Sequence, residues 1–262
     1  MVAVKWEKNT KMEEINIKAE IMETTETINA ESFNAVNEAD LKVLQEMLKV
    51  GAMYGHKKTR TNPKFKKYIF ATRNGVEIIN LVKTLEAVDL AVNFLNDQIK
   101  EKKTILLVAT QSAAWEAIDN LVKKLNFPCV KNRWIGGLIT NFKVVSKRLE
   151  YFKKIQTDME SGALDKYTKK ERGMINKNIH RMEEMFGGLE SLTSLPDALF
   201  VIDTSIKGHM TAIHEAKIKK IPIMAIIDSD DNPDLIDYPI PANDHAKMSI
   251  EWIINRISEK LL

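Results

Sequence analysis

Two aspartates end apolar runs in the second half of the chain and could bind a cation. Asp203 closes the run ALFVID, and Asp228 closes IPIMAIID, which continues into the acidic stretch DSDDNPD. If both runs are parallel neighbouring strands, the two carboxylates meet at the carboxyl edge of the sheet, where open sheets place their ligands. Because oxygen ligands suit hard cations, we predict a divalent-cation site, magnesium or zinc, at Asp203 and Asp228. Capping of a turn is the alternative interpretation.

A dense basic segment, residues 55–70, lies in the first third of the chain. It contains six Lys or Arg and no Asp or Glu. A surface stretch of one sign repels itself unless a polyanion neutralises it, and Lys and Arg contacts to phosphates position a protein on nucleic acid without reading its sequence. The segment therefore predicts a phosphate-binding surface. Its members are Lys57, Lys58, Arg60, Lys64, Lys66 and Lys67, with Arg73 as a seventh residue from the adjacent turn.

The stretch NRWIGGLITNF, residues 132–142, is a second candidate contact. Arg133 offers a charge and Trp134 a flat ring, while two consecutive glycines allow close backbone approach. Two interpretations of Trp134 stay open, an RNA contact and a plug in the hydrophobic core. For the aromatic residues of the basic segment, Phe65 and Tyr68, we expect anchoring to the domain rather than base stacking. The predicted second contact comprises Arg133, Trp134, Lys143, Lys147 and Arg148.

The elements that must position these residues follow from the apolar pattern. The runs TILLVA, ALFVID and IPIMAIID alternate with helical patterns, which predicts an α/β fold with a parallel sheet covered by helices on both faces. The dipeptide Asn74-Gly75 between two apolar runs predicts a tight hairpin turn. Asn62 precedes a proline, so we expect extended backbone that spreads the neighbouring lysines along successive phosphates.

Three segments are predicted along the chain. Residues 1–38 form an acidic, disordered N-terminal arm, because apolar residues are sparse there and residues 1–50 hold six Lys against ten Asp or Glu. Residues 39–140 and 187–262 form the α/β domain. Residues 141–186 form an inserted helical hairpin that turns at Gly162. The apolar stripe assigned to its two helices is Val144, Leu149, Phe152, Ile155, Met174, Ile179, Met182 and Met185.

Several functional classes find no support in the sequence. The loop after TILLVA carries no glycine-rich phosphate-binding motif, and no Gly-x-Ser-x-Gly or His-Glu-x-x-His motif occurs. The single Cys129 excludes an internal disulfide. His209 and His214 are five residues apart and fall on different helix faces, which argues against a metal pair. No apolar run is long enough to cross a membrane. An enzyme acting on nucleotides or sugar phosphates near Asp203 and Asp228 remains the alternative function.

Four long stretches carry a resemblance to a known family. They are GHKKTRTNPKFKKYIFATRNGVEIINLVKT, RWIGGLITNFK, LPDALFVID and IPIMAIIDSDDNPDLIDYPIPANDHA, in this order. Together they resemble the bacterial type of the small-ribosomal-subunit protein S2 family, from about Leu41 to Ile257. The resemblance implies a non-enzymatic, cytoplasmic ribosomal protein with a flavodoxin-like sheet domain and a protruding coiled-coil hairpin. It also implies a seat on small-subunit rRNA at the back of the head–body junction, with neighbouring proteins that include ribosomal protein S1, which it helps to recruit.

Overall fold

The computed structural model describes residues 38–161 and 168–261, and the chain divides into two compact units, residues 1–49 and 50–262. The described part of the first unit is helix α1, Glu38–Lys49, which ends immediately before Val50 and Gly51. The predicted disordered arm therefore lies outside the described residues, apart from Glu38. The predicted turn at Gly162 also lies outside them.

The second unit contains strands and helices in an alternating order that follows the apolar pattern. In chain order they are β1 (Tyr54–Lys57), β2 (Ile69–Arg73), β3 (Val76–Ile79), α2 (Leu81–Lys100), β4 (Ile105–Val108), α3 (Trp115–Leu125), β5 (Cys129–Val130), α4 (Phe142–Glu160), α5 (Lys169–Phe186), β6 (Ala198–Ile202), α6 (Lys207–Ile218), β7 (Ile223–Ile227), β8 (Tyr238–Pro241) and α7 (Lys247–Lys260). None of the helices in the described ranges is long and apolar enough to cross a membrane.

Five strands form one parallel sheet in the order β5-β4-β6-β7-β8. This is the order 2-1-3-4-5 of flavodoxin-like doubly wound sheets, in which helices cover both faces. Successive residues of each strand enter two different hydrophobic clusters: Leu106 and Val108 belong to one, Ile105 and Leu107 to the other. Because both faces are buried, the strands read as continuous apolar runs. The predicted α/β fold is confirmed.

A second, antiparallel sheet has the strand order β1-β3-β2. Asn74 and Gly75 join β2 to β3 with φ values of 49° and 77°. Positive φ at both central residues is the geometry of the tight turns that match the twist of paired strands, so the predicted hairpin turn is confirmed. The buried carboxylate of Glu77 on β3 accepts hydrogen bonds from the Thr72 hydroxyl at 2.7 Å and the Thr61 hydroxyl at 3.4 Å.

Helices α4 and α5 pack against each other. The apolar stripe predicted for them is wrong in part, because Val144, Met174 and Met185 are exposed. On α4 Leu149 and Phe152 are buried as predicted, and the third buried residue is Val145 rather than Val144. The spacings of four and three between these residues place them on a single face. They belong to the same cluster as Leu106 and Val108 of the sheet, so the helix pair contributes to the domain core. The buried residues of the pair are Val145, Leu149, Phe152, Ile179 and Phe186.

Candidate functional site

The basic segment folds into two short 3-10 helices between β1 and β2, Lys58–Arg60 and Pro63–Tyr68. Asn62 itself is extended, with φ −70° and ψ 128°, as the residue before a proline prefers. Pro63 then starts the second helix, and the Asn62 carboxamide oxygen caps it by accepting from the Lys64 backbone N–H at 3.0 Å. The prediction of extended backbone over Lys64, Lys66 and Lys67 is therefore wrong.

Phe65 fixes this helix to the domain. Its side chain is fully buried in the same cluster as Leu106 and Val108, and the Tyr68 ring lies against it with centroids 5.3 Å apart. The expectation that Phe65 is an anchor is confirmed. With Phe65 pointing inward, the flanking Lys64 and Lys66 are exposed. The basic segment is consequently an ordered surface, which Phe65 attaches to the domain, rather than a free loop.

The seven basic residues of this surface differ in their partners. Lys64 forms an ion pair with Asp234 at 2.7 Å, and this hydrogen bond holds the pKa of the Asp234 carboxyl below its usual value. The Lys67 ammonium lies 5.0 Å from the centre of the Tyr68 ring, and Arg73 is half-buried at the end of β2. The remaining four are exposed and form no ion pair with any described residue: Lys57, Lys58, Arg60 and Lys66.

One buried carboxylate organises the second predicted contact. Glu215 of α6 accepts hydrogen bonds at 2.8–3.1 Å from the Trp134 ring N–H, from the Thr140 hydroxyl, and from the backbone N–H groups of Gly137, Ile139 and Thr140. Burial raises the pKa of Glu215, but these hydrogen bonds outweigh it and hold the pKa below the usual value. Sequence reasoning missed Glu215. The signal for it is an acidic residue next to the apolar residues Ala212, Ile213 and Ala216 on the buried face of α6.

The same geometry decides between the two interpretations of Trp134. Its side chain is 5% exposed and packs in the core, so the ring is a plug and is not free to stack on a base. Arg133, next to it, is exposed. Lys143, Lys147 and Arg148 are exposed on the first two turns of α4. Of the five residues predicted for the second contact, the four basic ones are exposed to solvent and Trp134 is buried.

The two aspartates predicted to bind a cation lie at the carboxyl edge of the parallel sheet. Asp203 follows β6, Asp228 follows the adjacent β7, and both are almost fully buried. Their ligand atoms fall into two groups that share His245: one contains His56 and Asp228, the other Asp203 and Asp244. Within each group the atoms lie within 4.8 Å of one another. We call these five residues the carboxylate–histidine cluster.

Hydrogen bonds connect several members of the cluster. The Nδ1 atom of His56 lies 2.9 Å from Asp228 Oδ2, and Nδ1 of His245 lies 2.6 Å from Asp244 Oδ1. These hydrogen bonds raise the pKa of His56 and raise that of His245 to about 9. Burial among neighbouring carboxylates raises the pKa of Asp244 well above its usual value. Sequence spacing gave no signal for His56, Asp244 or His245, because only the fold brings them to the two aspartates.

Close backbone approach makes this arrangement possible. A Cβ at Gly55 would lie 2.9 Å from Ser229 Oγ and 3.0 Å from Asp228 Oδ1, so only glycine lets β1 bring His56 to the edge of the parallel sheet. The backbone N–H of His56 also donates to Ser229 Oγ at 2.7 Å. Turn capping, the alternative interpretation, is present at Asp203, whose Oδ1 accepts from the Ser205 N–H at 2.8 Å and hydroxyl at 2.7 Å.

Comparison with known proteins agrees with the resemblance found in the motifs. The family model described as ribosomal protein S2 matches residues 47–262. The small ribosomal subunit protein uS2 of Coprothermobacter proteolyticus is 39% identical over 219 residues, which cover 84% of this chain and 81% of that protein. The proteins of the same name from Petrotoga mobilis and Dictyoglomus thermophilum are 38% and 37% identical, each over 84% of this chain and over 75% and 89% of their own lengths. The chain therefore belongs to the ribosomal protein S2 family.

Proposed function

We propose that this chain is a structural protein of the small ribosomal subunit in the cytoplasm and that it binds small-subunit rRNA through the basic segment. Membership of a ribosomal protein family confirms the prediction that the chain is not an enzyme, and it does not favour the alternative of a nucleotide or sugar-phosphate enzyme. The proposal rests on one observation above all. Four exposed basic side chains of the basic segment have no ion pair within the described residues, on a backbone that Phe65 holds in place.

Phosphate binding is the chemistry that suits this surface. Double-stranded RNA presents its phosphates and 2′-hydroxyls on a shape that proteins contact largely without reading base edges. Each phosphate that a Lys or Arg neutralises releases condensed counterions, which supplies affinity that falls with rising salt. A short helix anchored by Phe65 loses little additional freedom on binding, since its backbone is already ordered. Lys64 contributes less than its neighbours in this proposal because Asp234 already neutralises it.

The second contact supports the same surface chemistry. Arg133, Lys143, Lys147 and Arg148 are exposed, and Glu215 fixes the stretch that carries Arg133 by accepting from three of its backbone N–H groups. In this proposal Trp134 acts indirectly, by holding the stretch against the core. The two contacts together place basic side chains on several local structures: the ends of β1 and β2, the 3-10 helices, the Glu215-bound stretch and the start of α4.

The finer placement on the ribosome follows from the family resemblance. We propose a seat at the back of the head–body junction, with α4 and α5 as a protruding coiled-coil hairpin that contacts neighbouring proteins and helps to recruit ribosomal protein S1. Apolar side chains on both helices support a contact with other proteins, because more than two-fifths of the surface of each is exposed to solvent. These are Val144, Tyr151, Met159, Met174 and Met185.

Sedimentation tests the proposed function. The tagged full chain, expressed in bacterial cells, is expected to travel with small subunits through a sucrose gradient at moderate salt. Reversing three free charges in the variant Lys58→Glu, Arg60→Glu, Lys66→Glu should move it to the top of the gradient. A matched control changes three exposed lysines elsewhere, Lys102, Lys123 and Lys219, to Glu and should leave it with the subunits. A parent chain that stays at the top of the gradient would overturn the proposal.

A further inference from the structure

We propose that the carboxylate–histidine cluster is a binding site for one divalent transition-metal cation of the zinc type, whose ligands come from the two groups that share His245: His56 with Asp228, and Asp203 with Asp244. The ion would join β1 of the antiparallel sheet to the carboxyl edge of the parallel sheet, since His56 lies on β1 while the other four residues follow β6, β7 and β8. This site is separate from the phosphate-binding surface, which begins at the next residue, Lys57.

The donor set selects the kind of ion. Imidazole nitrogens mixed with carboxylate oxygens are typical zinc ligands, whereas magnesium takes oxygen ligands and keeps several waters. A tetrahedral zinc ion with ligands at about 2.0–2.2 Å needs donor atoms roughly 3.4 Å apart. The donor atoms within each of the two groups lie within 4.8 Å of one another, which approaches this separation. The histidines thus change the sequence-based expectation from magnesium or zinc to zinc.

The hydrogen bonding of Asp244 is a second observation in favour of a bound cation. Asp244 is 1% exposed, and its Oδ2 atom has no hydrogen-bond partner within residues 38–161 and 168–261. A buried carboxylate oxygen without a partner is costly, since it has lost its hydration and gained nothing in exchange. Asp244 belongs to the ligand group that also contains Asp203 and His245. A cation bound by this group would supply the partner.

The charge balance of the cluster leads to the same conclusion. Asp203, Asp228 and Asp244 are 1%, 2% and 1% exposed. Within the described residues, histidines rather than Lys or Arg form their ion pairs, His56 with Asp228 and His245 with Asp244. Buried charges in proteins are ordinarily paired or bound to metals. Two hydrogen-bonded histidines provide at most two compensating charges, and only when both are protonated. A divalent cation bound by the neutral imidazoles supplies two positive charges to the carboxylates, and its binding displaces the protons of the histidines.

Metal titration of the full chain tests the site. After treatment with a chelator and its removal, the chain should take up one zinc ion, measured by calorimetry and by metal analysis after gel filtration. At free zinc about 100-fold above Kd, Tm should rise by about 5–10 °C. Magnesium at the same concentration should produce a much smaller rise. Equal responses to zinc and magnesium, or no bound zinc, would overturn the proposal.

His245→Ala is the decisive variant. His245 belongs to both ligand groups, and its side chain is 49% exposed, so its removal is compatible with folding. Zinc affinity should fall by at least about 100-fold, the upper end of the loss reported for residues that only support a ligand. His214→Ala is the matched control, since His214 is an exposed histidine on α6 outside the cluster, and it should bind zinc like the parent. Unchanged zinc binding by a folded His245→Ala chain would contradict the assignment, and Asp244→Asn provides a second, isosteric test of the same expectation.

Discussion

The basic segment and the buried carboxylates handle like charges in opposite ways. In the basic segment, Lys57, Lys58, Arg60 and Lys66 stay in water, where neighbouring like charges are screened and cost little. At Glu215 and at the three aspartates of the carboxylate–histidine cluster the charges are buried, so the protein itself must compensate them. The exposed charges are therefore available for a partner, while the buried ones determine stability and local geometry.

The comparison extends to the two kinds of buried carboxylate. Glu215 accepts five hydrogen bonds and is fully compensated by one stretch of chain. In the cluster, Asp244 keeps one oxygen without a partner in the described residues. Changes in the buried regions should consequently alter the free energy of unfolding, and changes in the exposed region should alter RNA binding alone. The following predictions test this division.

The largest effect is expected at Phe65, the anchor that fixes the basic segment to the hydrophobic core. Phe65→Ala removes a fully buried aromatic side chain and should lower the free energy of unfolding by about 3–5 kcal/mol in urea denaturation. Phe70→Ala, which changes a phenylalanine that is 38% exposed on the neighbouring β2, serves as the control and should cost much less. Equal losses for the two variants would show that Phe65 does not anchor the basic segment.

A smaller loss is expected at Glu215. Glu215→Gln places an amide that donates where the carboxylate accepts from five groups, which should cost about 2–3 kcal/mol. The parent pKa lies below the usual value of 4.5, so the contribution of Glu215 is fully present above about pH 4.5 and is lost as pH falls through the folded-state pKa. Denaturation of both proteins at pH 7 and pH 4 should therefore show that their difference shrinks in acid.

Glu190→Ala is the matched control for this experiment, because Glu190 is an exposed glutamate outside any described ion pair. Its stability should stay within about 0.5 kcal/mol of the parent at both pH values. A Glu215→Gln variant whose deficit is the same at pH 7 and pH 4 would mean that the carboxylate charge is not what the five donors stabilise.

The smallest effect is expected where an exposed basic residue already has a partner. Asp234→Asn breaks the ion pair with Lys64 and leaves its ammonium available for a phosphate. Plots of log affinity for small-subunit RNA against log salt should become steeper by up to about 0.7–0.9, the contribution of one further phosphate contact. Because Lys64 and Asp234 are both about half exposed, the variant should fold as stably as the parent. A shallower slope would contradict the role given to Lys64.

The sheet and the positions of the charges were predicted more accurately from the sequence than the local backbone geometry was. Continuous apolar runs such as ALFVID have few structures open to them besides buried parallel strands, so the α/β fold followed directly. The 3-10 helix over Pro63–Tyr68 was missed because Pro63 both forces extended backbone before it and favours a helical start after it. The sequence alone does not say which of these preferences extends over the lysines.

The carboxylate–histidine cluster and the Glu215 hydrogen bonds could not be predicted from the sequence for a different reason. His56, Asp203, Asp228 and Asp244 are up to 188 positions apart, and only the strand order brings them together. Asp203 and Asp228 were found because both follow apolar runs, while His56, which directly precedes the lysines of the basic segment, was not assigned to any site. Val144 was assigned to the apolar stripe of the helical hairpin in error, because a shift of one residue in helical register separates it from the buried Val145.

The most direct test of the central claim is the salt dependence of RNA binding. The variant Lys58→Gln, Arg60→Gln, Lys66→Gln removes three exposed charges that have no described partner, and it should keep the free energy of unfolding within about 0.5 kcal/mol of the parent. Its plot of log affinity for small-subunit RNA against log salt should be flatter by about two to three units. The control with Lys102, Lys123 and Lys219 changed to Gln should retain the parent slope. A triple variant of the basic segment that binds with the parent slope would show that this surface does not contact phosphates, and the proposed function of the segment would be wrong.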